Sequence, residues 1–283
     1  MAIHIRRREL LAALGGAAAW PLKFNAGLGC AAAMVLTFLG PVRAQDLMRH
    51  LDLTSPDMTA AEMTRADVET ALASHQTDFS GKKLSGLDLS GLDLSAVELR
   101  AARLNKTKLV GAKLDRAVLD QAWLLGADLS HASLRNANIF AAQMQDSKLD
   151  EADLSGARIA ADLTRASLVG AILVGANLAA DMKNQSMGLM RAVLRSADLT
   201  RANLKGADLS RANLEYASLS HADLTGASLR GVQLGGAKLI SATITEADFS
   251  DADLASARLV TPIGLDKARN FDRALNLDRL LHD

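Results

Sequence analysis

The residues able to do chemistry are few in kind and regularly placed. The histidines are His4, His50, His75, His131, His221 and His282. His131 and His221 hold equivalent places, just before Ala132 and Ala222, too far apart along the chain to share a metal. Serines such as Ser130 and Ser210 follow leucines in a fixed frame. No histidine and acid accompany them in a pattern that builds an acyl-transfer triad, so they are turn residues. Asp198 and Asp208 belong to a ladder of carboxylates that invites a calcium reading. The Gly-Gly-x-Gly-x-Asp nonapeptides of calcium-binding β-rolls are absent. No phosphate-binding or dinucleotide fingerprint occurs. The one cysteine, Cys30, lies in the N-terminal leader, which removes disulfides and thiolate metal sites from the rest. The expectation is a chain that is not an enzyme and needs no cofactor or metal.

Hydrophobic residues make up 49% of the 283 positions, but aromatics only 3%. Such a core is filled by many small, similar side chains, which points to internal repetition. Charge is unevenly spread. Residues 1–44 carry Arg6, Arg7, Arg8, Lys23 and Arg43 against Glu9, and residues 45–78 are acidic. Residues 79–259 hold 20 acids and 21 bases. That balance argues against a polybasic nucleic-acid surface.

Leucine recurs every five residues from Leu84 to Leu134, and Ile139, Met144, Leu149, Leu154 and Ile159 continue the frame. It resumes at Leu194 and closes with Ile244, Phe249, Leu254 and Leu259. Two residues before most of these centres is alanine, and Asp, Asn, Ser or Lys stands between. A period of five fits neither a straight helix of 3.6 nor a strand of 2, in which odd spacings flip faces. A chain that turns once per five residues satisfies it. Four such sides make a coil of about 20 residues, and coils stack at about 4.8 Å. Residues 79–259 then form about nine coils and a rod of roughly 40 Å. The polar residue before each centre faces out and bonds nearby backbone N–H groups.

The motif Ala-Asp/Asn-Leu-x-x, as in Ala127-Asp128-Leu129-Ser130-His131 and Ala202-Asn203-Leu204-Lys205-Gly206, resembles the pentapeptide repeat family. The resemblance covers about two thirds of the chain. It implies an all-β, right-handed parallel quadrilateral β-helix. It implies little about function. The best-understood members are acidic rods that imitate DNA, protect gyrase and dimerise through a C-terminal helix. A cytosolic DNA mimic that modulates a topoisomerase is therefore the alternative reading. The balanced charge of residues 79–259 and the leader count against it.

Helical caps are expected at both ends of the array, because open coil ends expose apolar surface and unpaired edges. In residues 45–78, Thr59-Ala60-Ala61-Glu62 reads as a capping box. It would open a helix over about 60–74, with Met63, Ala66, Ala71 and Leu72 on one face. In residues 260–283, Pro262 and Gly264 break the repeat and Asn270 caps a helix bearing Phe271, Ala274, Leu275 and Leu281. The plain reading of that helix is an end cap; the alternative is that it also mediates a homodimer.

Residues 1–44 read as an address. A basic start precedes two apolar runs, and Val42-Arg43-Ala44 gives small residues at −3 and −1 of a cut before Gln45. Arg7-Arg8 with Leu10 and Leu11 resembles a twin-arginine signal. The competing readings are a cleaved signal to the periplasm or exterior, an uncleaved membrane anchor facing the periplasm, and a cytosolic form with an overlong start. The run from 26 to 42 is short of a span of about 20 residues, which favours cleavage.

The frame slips by one residue between Ile159 and Leu163, again between Leu178 and Met182, and lengthens between Met187 and Leu194. Lys183, Asn184, Gln185, Ser186, Met187, Gly188, Leu189, Met190 and Arg191 form the one long departure. They are the candidate interaction loop, set against a bulged corner. The sequence predicts an exported scaffold for an unidentified protein partner.

Overall fold

The computed structural model describes residues 52–182 and 190–282. The described residues all belong to the unit Met48–Asp283. The expected signal or anchor at 1–44 lies outside the described residues. Among the described residues no helix is long and apolar enough to cross a membrane.

From Asp78 to Leu281 the described residues form a four-sided coil. Asp88 pairs in parallel with Lys108, Lys108 with Asp128 and Asp128 with Lys148. Like pairings occur on the other three sides. Each side contributes a single bridging residue, so the strands are as short as strands can be. The bridging residue is the one before each leucine, polar on most sides, with Val118, Trp123, Ile172 and Val193 as exceptions. Leucine and the preceding alanine turn inward and are buried, from Ala102 and Leu104 up to Ala257 and Leu259. Each buried leucine supplies about 1.5–3 kcal/mol of burial.

The five N–H groups of a side have separate destinations. Around Leu129, Asp128 N–H donates to Thr107 in the preceding coil at 3.0 Å. Leu129 and His131 donate forward to Lys148 and Asp150 at 2.7 and 2.8 Å. Ala132 N–H donates to the Leu129 carbonyl at 3.0 Å and closes the corner. That leaves Ser130, whose N–H donates to Asp128 Oδ1 at 3.1 Å. Ser90, Thr200, Ser210 and Thr225 are satisfied alike by the aspartate two positions earlier. Elsewhere the acceptor comes from the corner one coil back. Asn105 serves Leu125, Asp115 serves Arg135, Asp120 serves Phe140 and Asp150 serves Val169. The recurrent Asp or Asn thus answers the one donor the coil leaves orphaned.

Each two-residue corner places its second residue at positive φ, as at His131 (59°), Arg201 (60°) and His221 (61°). The first corner residue has negative φ, which makes these type II turns.

At the N-terminal end the sequence places a helix correctly but mistakes its start. Helix α1 spans Pro56–Thr59 and α2 spans Arg65–Ala73. The capping box belongs to Thr64 and Asp67: the Thr64 hydroxyl accepts from Asp67 N–H, and Asp67 accepts from Thr64 N–H at 2.8 Å. The expected box fails because Thr59 ends α1 and the chain leaves it extended at Ala60. Ala61 bridges antiparallel to Leu84, and Glu62 N–H donates to Lys83 at 2.8 Å. Val68 is the α2 residue buried in the core, while Ala66 is exposed. Asp57 ties α1 to the coil through Lys83 and Arg103, each at 2.6 Å.

The C-terminal helix is not formed. Residues 263–281 continue the coil instead. Ile263, Arg269, Leu275 and Leu281 bridge to Thr243, Asp248, Asp253 and Arg258. Three 3-10 turns, Leu265–Lys267, Phe271–Arg273 and Leu277–Arg279, form the corners. Asn270 cannot cap an α-helix, because an N-cap needs extended backbone and Asn270 is left-handed at φ 53°. Its side-chain amide donates to Asp248 at 2.9 Å.

Gly264 starts the first of these turns at φ 78°, and a Cβ there would lie 2.0 Å from Thr245 Oγ1 and 3.0 Å from its Cα. Gly264→Ala is expected to cost about 1–3 kcal/mol through strain and clash. Urea unfolding at 25 °C measures it, and a midpoint equal to the parent's would contradict this packing.

Candidate functional site

The departures from the frame converge on one corner. The side at Arg158-Ile159 is followed by a corner shortened to Ala160, so Gln143 pairs with Asp162, 19 positions on rather than 20. Ala160 is small and buried, which suits a tight turn. One coil later the same corner, after Asn177-Leu178, opens into the excursion. Asp162 pairs with Val193, 31 positions on. The short corner therefore lies directly beneath the long one.

Met182 is not an inward centre, contrary to the five-residue frame; it is 46% exposed. The slip between Leu178 and Met182 is thus no shortened corner but the first arm of the excursion. Its base is closed. Asp181 N–H donates to the Met190 carbonyl at 2.7 Å, and Ala180 N–H donates to Ser210 in the next coil at 3.0 Å.

Charged side chains fasten this base to the coils on either side. Arg158 pairs with Asp181 at 3.2 Å, and its guanidinium lies 4.4 Å from the Phe140 ring centroid. Such a stacked cation contributes about 0.5–1 kcal/mol at an exposed site. Arg191 Nη1 donates to the Arg211 carbonyl at 3.2 Å, and Arg211 Nη1 donates to Met182 Sδ at 3.4 Å. Of the expected loop residues, Met190 and Arg191 thus form the second arm of the base. Lys183, Asn184, Gln185, Ser186, Met187, Gly188 and Leu189 lie outside the described residues.

The other sequence candidates stay apart. His131 Nδ1 lies 3.3 Å from Glu151, its neighbour one coil on at the same corner. His221 is on that corner four coils away, roughly 19 Å at 4.8 Å per coil. Ser130 Oγ donates to Asp128 at 2.6 Å, as a turn residue does. Among the described residues, no group of three His, Cys, Asp or Glu could hold a metal ion.

The coil of five-residue sides defines a solenoid of the parallel β-helix class. The family model for pentapeptide repeats matches residues 77–115, 112–156, 137–179, 189–231 and 233–260, in 8 copies. The chain belongs to the pentapeptide repeat family. Proteins of this family are generally structural or interaction modules rather than enzymes.

Similar solved structures include HetL, a pentapeptide repeat protein involved in heterocyst differentiation regulation in Nostoc sp. strain PCC 7120. It is 28% identical over 78% of this chain and 95% of its own, with a TM-score of 0.43. A pentapeptide repeat protein, Rfr23 of Cyanothece 51142, is 28% identical over 41% of this chain and 91% of its own, with a TM-score of 0.23. QnrB1, a plasmid-mediated fluoroquinolone resistance protein, is 16% identical over 71% of this chain and 88% of its own, with a TM-score of 0.36. No curated protein matches.

The stacking of the short corner under the long one was open to sequence reasoning. The two slips lie one coil length apart, at Ile159 and Leu178. Assigning Met182 and Met187 to the frame concealed it.

Proposed function

We propose that this chain is a non-enzymatic scaffold, exported through its leader, that engages a protein partner at the 179–191 excursion. The carrying observation is the anchored base of that excursion. The coil would need two residues at this corner, yet the chain spends eleven more and ties their ends down through Arg158, Asp181, Arg191 and Arg211. Loops fixed on a rigid scaffold commonly carry binding. Between the two ends of the array, the rest of the described surface repeats from coil to coil.

The right-handed coil, with α1 and α2 covering its first turn, supplies the rigid support. Export rests on the basic start, the apolar runs and the small residues before Gln45. The cleaved form is favoured over an anchor for the length reason given above.

Two measurements test this. Hydrogen exchange on the purified protein should show residues 183–191 exchanging fast beside protected coils; full protection there would contradict a presented element. Cell fractionation with N-terminal sequencing should find a periplasmic or secreted protein beginning at Gln45. Cytosolic protein retaining Met1 would refute export.

A further inference from the structure

Charged side chains at the corners of the coil stack acid on base. Arg100 lies 3.1 Å from Asp120, His131 3.3 Å from Glu151, Arg165 2.6 Å from Asp146 and Arg195 3.2 Å from Glu215, each pair on one corner of adjacent coils. Among the described residues one charged corner stack differs, and it belongs to the excursion. Val193 pairs with Asn213, so Arg191 sits directly beneath Arg211, base on base. Like charges placed opposite each other are destabilising. Arg211 is exposed and forms no ion pair among the described residues; its Nη1 donates to the Met182 sulfur. Arg230 follows one coil later on the same corner, with its side chain 64% exposed and 3.6 Å from Asp248. The chain meets the same problem at Lys83 and Arg103, bases that bridge one coil apart. There Asp57 of α1 spans them, one carboxylate oxygen 2.6 Å from each. An element outside the coil supplies the acid.

We infer that the partner at this corner brings an extended acidic segment, with two carboxylates at alternate positions. The inference rests on a protein partner meeting the 179–191 excursion. One carboxylate spans Arg191 and Arg211 as Asp57 spans Lys83 and Arg103. The second meets Arg230. From midway between the first two arginines to the coil of Arg230 is one and a half coils, roughly 7 Å at about 4.8 Å per coil. Alternate residues of a strand stand about 6.5–6.8 Å apart on one face, so acid-x-acid fits and two adjacent acids do not. Acids bound the row: Asp208 lies on the side before Arg211, and Asp248 and Asp251 lie one coil beyond Arg230. Three cations so bounded are too short a track for a nucleic-acid backbone, which is held through many phosphate contacts.

Fluorescence anisotropy at low salt tests it, with the full chain and a labelled peptide carrying Glu-Val-Glu among neutral residues. Binding should saturate with a Kd of about 0.1–1 mM. A peptide of the same composition with its two glutamates adjacent should bind about fivefold more weakly. Arg211→Ala together with Arg230→Ala should weaken binding of the first peptide about tenfold, with circular dichroism confirming that the coil is kept. Arg201→Ala, at an exposed arginine on another corner, should leave it unchanged. Equal binding by the paired arginine variant overturns the inference, as does equal binding of the two peptides. Tighter binding of a single-stranded oligothymidylate than of the first peptide also overturns it, in favour of a nucleic acid. No peptide binding by the parent chain overturns it too, while the role of the excursion stands or falls separately on capture of a partner by chains with and without residues 183–191.

Discussion

Leu204→Ala should lower the unfolding free energy by about 3 kcal/mol, within the 2–5 kcal/mol that large-to-small core substitutions cost. Leu204 is fully buried in mid-array, with Leu173 one coil before and Leu224 one coil after on the same side. Its backbone is held by the coil hydrogen bonds of Leu204 to Asp223 at 2.7 Å and Asn203 to Ala171 at 2.8 Å. The site cannot collapse around the cavity, so most of the penalty is retained. In a solenoid each coil depends on its neighbours, and the loss spreads along the array rather than staying local. Urea denaturation followed by circular dichroism measures it. A cost below about 1 kcal/mol would mean the inward row is not close-packed.

The second large effect is at Asp248. Four groups converge on its carboxylate: Ser250 N–H at 3.0 Å, Ser250 Oγ at 2.7 Å, Asn270 Nδ2 at 2.9 Å and Arg230 at 3.6 Å. Burial pushes the Asp248 carboxyl up. The hydrogen bonds from Asn270 and Ser250, with the charge of Arg230, outweigh it and hold the group at about 2. Asp248→Leu removes the acceptor and leaves buried Ser250 and the last coil's Asn270 without their partner, which should cost about 2–3 kcal/mol. The last coil should fray first, seen as faster exchange across 263–281.

The same depression sets the acid limit. The Asp88, Asp93, Asp128, Asp153 and Asp223 carboxyls are also lowered, chiefly by bonds from the Ser or Thr two positions on; for the last three, these outweigh the upward push of burial. An unfolded aspartate takes up its proton near 3.9, before the folded one does. The stability they confer is therefore whole above about pH 5 and drains as pH falls from about 4 toward 2. A midpoint that stays constant down to pH 2 would contradict that assignment.

The coil was legible because one constraint, five residues per side, acts on every turn and marks itself with leucine. The Asp or Asn before the centre was legible for the same reason. What escaped were places where a local rule competes with the array. Thr59 and Glu62 spell a capping box, but the N–H of Glu62 is taken by Lys83. Thr64 and Asp67 spell the same box with a shorter acid. Phe271, Ala274 and Leu275 have helical spacing, yet Gly264, Asn270 and Asn276 at left-handed φ turn the chain every six residues. The candidate loop was visible as an interruption. Its anchoring was not, since Phe140, Arg158, Asp181 and Arg211 meet only once the coils are stacked.

The proposed meeting of this scaffold with a partner at its anchored excursion can be put to a direct test. Affinity capture with mass spectrometry, using the full chain beside a version lacking residues 183–191, tests it most directly. A partner should be retained by the full chain and lost from the shortened one, whose coils remain folded by circular dichroism. A partner retained equally by both would contradict it.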